Sequence, residues 1–224
     1  MDKYRKYEIA ATICVAIFIV SFSLILLVSN RSVYGICYDK YYDGLTEIYG
    51  DSIEDKALAP VEAKQNYEQI ADGFSTFFKS DYSGVSYKLS ERNVKFLNRL
   101  KGFYRFAWIA SVISFAGAIY SFIILSKRRN YMPLLTGGLA ASLLTAFHAF
   151  VIVMSKSTTL SGIKNMIMYG DYSYFPDADV IVWCMPPKFG MNLALLYLGI
   201  VFGMILLAAL IRLVIVFWGR PHKF

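Results

Sequence analysis

The sequence predicts an all-α polytopic membrane protein: four transmembrane helices with a small extracytoplasmic α/β cap. Three observations predict it. The 224-residue chain is 57% hydrophobic, with a mean hydropathy of +0.47, whereas soluble domains hold about 45–50% apolar residues. The excess falls in four blocks without charge, Ile9–Asn30, Phe106–Ser126, Tyr131–Ser155 and Phe189–Ile211, each reaching the ~20 residues that a helix needs to cross ~30 Å of hydrocarbon. The blocks do not alternate with period two, so helices and not barrel strands satisfy their backbone in lipid. The expected layout is one membrane domain over residues 1–224, with helices at 9–30, 104–126, 132–154 and 189–217 and a cap made of 31–103 and 156–188.

The first block follows Lys3, Arg5 and Lys6. It is longer than the ~7–15-residue core of a signal peptide and no A-x-A-like site follows it, which predicts an uncleaved helix. Lys127, Arg128 and Arg129 fill the short connection between the second and third blocks, and Arg212, Arg220 and Lys223 lie at the end of the fourth. With four crossings these groups share one side, so the positive-inside rule predicts a multi-pass protein of the bacterial cell membrane with both termini cytoplasmic. Arg92, Lys95, Arg99, Lys101 and Arg105 crowd the other end of the second block, within a loop long enough to be translocated regardless of charge. The net charge of +7 is thereby absorbed by topology and does not predict nucleic-acid binding.

The cap opens with YGICYDKYYDG, ending at Asp43-Gly44, which reads as a strand and a turn. Pro60 and Glu62 suit the start of a helix. Tyr67, Ile70, Ala71, Phe74, Phe77 and Phe78 then recur on one helical face. Val85, Tyr87 and Leu89 alternate with polar residues as in a half-buried strand. Ser90 caps a helix that runs through Val94, Leu97 and Leu100 into the second membrane block. The second half of the cap ends in Tyr172–Phe189, which contains three of the six prolines and the carboxylates Asp177 and Asp179. Within the membrane, Gly199-x-x-x-Gly203, the Ala110/Ser114/Ala118 stripe and Gly137–Gly138 predict close helix contacts, within one chain or between chains.

The chain carries no Walker loop, dinucleotide fingerprint, C-x-x-C, H-E-x-x-H or G-x-S-x-G, so neither a cofactor nor a metal is expected. Its two histidines are His148, in the third block, and His222, in the tail. An ionisable group inside a span is a functional candidate by default, although a neutral histidine between helices is also a common structural group. Cys37 and Cys184 both fall on the predicted outer side, where disulfides form. They either staple the cap to the closing stretch or remain two thiols. Cys14 reads as helix core.

Several blocks resemble a family. Ser90-Glu91 with Lys101 and Phe103 at the mouth of the second helix resembles the S-E…H-x-x-D/E-V-K…F block of the lipoprotein intramolecular transacylases, four-helix integral membrane proteins of mostly Gram-positive bacteria. Pro176-x-x-Asp179, Val180-Ile181, Pro186 and Phe189 are similar to that family's P-x-x-D…L-I…L-P-x-x-F approach to helix four, and Asn66-Tyr67 resembles its N-Y segment. The resemblance implies a chamber at the outer leaflet, membrane lipid and diacylated lipoprotein as partners, and O-to-N acyl transfer as the reaction class.

The family's two extracytoplasmic histidines, which the resemblance would make the catalytic pair, fall on Phe96 and near Ile163, and the acidic residue after the first falls on Arg99. Acyl transfer from a glyceryl ester to an amine needs a base and donors for the oxyanion, and phenylalanine and isoleucine supply neither. Three readings follow. One is an acyl-transfer enzyme whose chemistry has moved to His148, Asp177, Asp179 or Tyr172. Another is a non-catalytic relative that binds a lipid or lipoprotein in the same chamber, its rim formed by the headgroup-binding Arg92, Lys95, Arg99 and Lys101. The third is a structural or partner subunit of a membrane complex.

Overall fold

Lys3–Ser29, Glu91–Ser126, Met132–Met154 and Pro187–Trp218 form four long helices, α1 to α4 in chain order. The structure, a computed structural model, describes residues 3–30, 65, 68–70, 72–73, 91–154 and 187–218. The sequence places helices over these stretches, and α2 starts where Ser90 can cap it, at Glu91. Its 36 residues exceed the ~20 of one crossing. α1, α2 and α4 each contain a stretch long and apolar enough to cross a membrane, and α3 carries the shorter apolar stretch Met132–Phe147.

No strand occurs among the described residues. The α/β character expected of the cap is therefore not supported, and the segments read as strands, 34–44 and 85–89, lie outside the described residues. Residues 65, 68–70, 72 and 73, inside the helix read from Pro60 onward, are helical.

The turn between α2 and α3 has a defined geometry. Asn130 N donates to the Leu125 carbonyl at 3.3 Å and Arg129 N to the Ser126 carbonyl at 2.9 Å. This is the hydrogen-bond pattern of a Schellman C-cap, which needs a left-handed residue just past the helix. Arg129 takes that place with φ 51°, where glycine is usual. Asn130 then caps α3, its Oδ1 accepting from Met132 N at 3.1 Å, and Pro133 follows in the first turn, where a missing N–H costs nothing.

The chain divides into two compact units. The first comprises Met1–Ile25, Phe106–Phe150 and Tyr197–Phe224. Its core is made by all four helices: Val15, Ala16 and Ile19 of α1, Ala118 of α2, Ala141 of α3, and Val201 and Ala208 of α4. Small residues set the distances. A Cβ on Gly137 would lie 2.6 Å from the Val15 side chain and 3.0 Å from the Thr12 carbonyl oxygen, so α1 and α3 touch nearly backbone to backbone. A Cβ on Gly117 would come within 2.8 Å of Cys14 Sγ. By contrast, a Cβ on Gly199 or Gly203 would meet nothing within 4 Å. The G-x-x-x-G of α4 thus makes no contact within the chain among the described residues. On α2 the buried small stripe is Ala107, Ser111, Ser114, Ala118 and Ser121. Ala110, expected in it, lies only at its edge.

This unit is apolar outside and partly polar inside. Phe106, Ile113, Ile123, Leu139, Leu143, Phe147 and Phe202 are more than 60% exposed, while Ser21, Ser23, Ser111, Ser114, Ser121 and Thr145 are buried. Three of these hydroxyls return to their own helix, Ser21 to the Ile17 carbonyl at 2.7 Å, Ser114 to the Ser111 carbonyl at 3.1 Å and Thr145 to the Ala141 carbonyl at 2.8 Å. Such an outward belt is stable in hydrocarbon and not in water. The second unit comprises Leu26–Arg105 and Val151–Leu196, and Ile70, Leu97 and Tyr104 are buried in it.

Candidate functional site at the start of α2

The first turns of α2 carry the basic cluster that the sequence singles out. Lys95 and Arg99 are exposed. Lys101 is not. Only 1% of it is exposed, and its ammonium donates to the Gly73 carbonyl at 2.8 Å. The sequence reading puts Lys101 on a headgroup-facing rim; the structure buries it. The physical reason is helical register. Leu97, Lys101 and Tyr104 follow one another at four and three residues, a single face, and all three are buried. Lys95 and Arg99 lie off that face. Lys101 thus ties α2 to the segment that ends at Gly73, with a charge-assisted hydrogen bond in a site where an unbonded ammonium would be costly.

A second polar link lies nearby in sequence. Tyr104 Oη and Ser29 Oγ are hydrogen-bonded at 2.8 Å, joining the end of α1 to α2. Neither link was legible as a pair, since Lys101 and Gly73 are 28 residues apart and Ser29 and Tyr104 75. The spacing of Leu97, Lys101 and Tyr104 puts the three on one face, and the structure shows that this face is the buried one.

Phe96, at the family's first histidine position, lies in α2, and Arg92 lies one turn before it. His148 lies in α3. Their side chains are outside the described set. Tyr172, Asp177, Asp179 and Ile163 lie outside the described residues, as do Cys37 and Cys184. Chemically, the described part of this site offers hydrogen-bond donors: Lys95, Arg99 and the engaged Lys101. The carboxylates Glu68 and Asp72 are on the segment that Lys101 holds.

No protein-family model matches the chain, and no curated protein matches it. Among solved structures its fold is similar to that of the membrane integral lipoprotein intramolecular transacylase Lit from Bacillus cereus. A variant of Lit with one histidine replaced by arginine matches with a TM-score of 0.79 and 18% identity, over 98% of this chain and 95% of that one. A variant with histidine replaced by alanine matches with a TM-score of 0.79 and 19% identity, over 97% and 95%. A further Lit structure gives 0.76 and 18%, over 97% of each chain. The likeness is one of fold, and it runs nearly end to end. The resemblance to the Lit-like family read from short motifs is supported, and the chain is a multi-pass helical membrane protein.

Proposed function

We propose that this protein holds the acyl chains of a lipid or diacylated lipoprotein at the outer leaflet and does not transfer them. The likeness in fold to Lit supports the first half of this reading. The second half is carried by one observation: Phe96 stands where the family's first histidine falls, and a phenyl ring cannot take the proton of an attacking amine. Ile163 at the second position removes the other imidazole. In this reading both termini are cytoplasmic, and Arg92, Lys95 and Arg99 meet lipid phosphate. Tyr172, Asp177, Asp179 and His148 are the polar groups left to line the chamber, and Cys37 and Cys184 staple the cap. Lys101 serves as a positioning residue that keeps α2 against the Gly73 segment.

The test is expression in a bacterial strain lacking its own transacylase, followed by mass spectrometry of a model lipoprotein's N-terminus. The expected product is the unchanged diacylated form, together with labelling of the protein by a photoreactive acyl chain carried on that lipoprotein. Lyso-form made by the natural sequence would overturn the non-catalytic reading and direct the search for a base to His148, Asp177 and Asp179. Absence of acyl labelling would overturn the binding reading.

A further inference from the structure

A groove of about 330 Å³ opens at the end of the first unit where α1 begins and the α2–α3 turn lies. One wall is a single face of α1, running Arg5, Ile9, Thr12 and Ile13, and the other is the start of α3, with Met132 and Thr136. We propose that this groove holds the head and glycerol region of an anionic phospholipid, from the leaflet at this end of the helices.

Charge at the mouth is the first support. At this end Arg5 lines the groove, Arg128 lies 3.9 Å over the ring of Tyr4 at the start of α1, and Lys6, Lys127 and Arg129 are their neighbours in the chain, with Arg212 at Met132. The contacts that bring them there are Asn130 Nδ2 to Glu8 Oε1, at 2.7 Å, and Arg212 Nη2 to Met132 Sδ, at 3.1 Å. Glu8 is the carboxylate that lines the groove, and the Asn130 amide already occupies one of its oxygens. Arg5 is exposed and has no carboxylate partner among the described residues. The groove itself holds one cation, Arg5, and one carboxylate, Glu8; an exposed cation between membrane helices, beside a basic turn, suits a lipid phosphate.

The order of chemistry along the groove is the second support, and it separates a lipid from a free anion. Thr12 lies seven residues beyond Arg5, about 10 Å deeper along the helix. There the Thr12 and Thr136 hydroxyls are hydrogen-bonded to each other at 2.9 Å and remain outward-facing. Ile9 and Ile13 beside them are 49% and 52% exposed. Cation at the mouth, hydroxyls one level down and exposed aliphatic side chains alongside match the phosphate, ester and acyl levels of a phospholipid. A free phosphate would use only the first. This site lies at the end opposite to the proposed outer-leaflet chamber in the predicted topology, and its test does not depend on that chamber.

The full chain, purified in detergent, is titrated with phosphatidylglycerol and with phosphatidylcholine of the same acyl chains, and retained lipid is counted by native mass spectrometry. Preferential retention of phosphatidylglycerol, undiminished by an excess of free glycerol phosphate, is expected. Arg5→Gln should weaken it about five-fold, the value of one basic contact at a membrane surface. Thr136→Phe, which fills the groove without changing charge, should abolish it. Lys127→Gln, which removes a charge from the same end but not from the groove, should leave most of it. Equal retention of the two lipids, displacement by glycerol phosphate, loss with Lys127→Gln as large as with Arg5→Gln, or full retention by Thr136→Phe would each overturn the proposal.

Discussion

α1 and α4 have apolar windows of equal mean hydropathy, yet 44% of the α1 window is buried and only 11% of the α4 window. Two helices that a bilayer would accept equally hold different places in the fold. Hydropathy decides that a segment enters lipid. It does not decide which helix is central, because lipid tails are as apolar as leucine and burying a leucine among helices gains nothing from the solvent. Close packing decides that, and α1 has the means for it. Its Val15 faces Gly137 of α3, and its Cys14 faces Gly117 of α2. α4 brings glycines too, but a Cβ on Gly199 or Gly203 would meet nothing within 4 Å among the described residues; its close approach is Ile205 against Gly138 of α3, where a Cβ would lie 3.2 Å away, and Val201 and Ala208 are its buried core residues. It is further held by Tyr197, whose hydroxyl donates to the Val20 carbonyl of α1 at 3.3 Å.

The contrast can be broken most directly by truncating one side chain on each helix. Ile19→Ala on α1 removes a side chain that is 2% exposed and should cost about 2–4 kcal/mol of stability, since the cavity cannot collapse in a tight bundle. Leu206→Ala on α4, 49% exposed, should stay within about 0.5 kcal/mol. Melting of both variants in one detergent decides it, and equal losses would erase the distinction between central and peripheral helix.

Adding a methyl group tests the same contrast from the opposite side. Gly137→Ala forces a Cβ against Val15 and the Thr12 carbonyl oxygen and should destabilise by about 1–3 kcal/mol. Gly203→Ala has open space and should stabilise by up to about 1 kcal/mol, through lower backbone entropy in the unfolded chain. A matching loss at both glycines, read as thermal midpoints, would mean that α4 is packed through its G-x-x-x-G after all.

The smallest effect sharpens the picture of how α4 is attached. Tyr197→Phe removes the hydroxyl that donates to the Val20 carbonyl and should cost about 0.6 kcal/mol, the average for an interhelical hydrogen bond in a membrane protein. Chemical denaturation in mixed micelles has the resolution to detect this change. A cost above about 2 kcal/mol would make the tyrosine the principal anchor of α4 and lower the weight given to Val201 and Ala208.

The sequence by itself determined the helices and their order, because long charge-free runs have one solution in lipid. It determined that α2 extends beyond its membrane stretch, from Ser90 and the helical spacing of Val94, Leu97 and Leu100. It also carried the likeness to the transacylases, and with it the absence of histidine at Phe96. The closing stretch Tyr172–Phe189 was equally conspicuous in the sequence, but all of it before Pro187, where α4 begins, lies outside the described residues. Only the tertiary structure decided which glycines are contacts, that Lys101 is buried on Gly73 while Lys95 and Arg99 are exposed, and that Thr12 and Thr136 share a groove below Arg5. The reason is physical. In water a helix declares its buried face by being apolar there, whereas in a bilayer both faces are apolar, and partners are chosen by shape and by a few polar bonds between residues far apart in the chain.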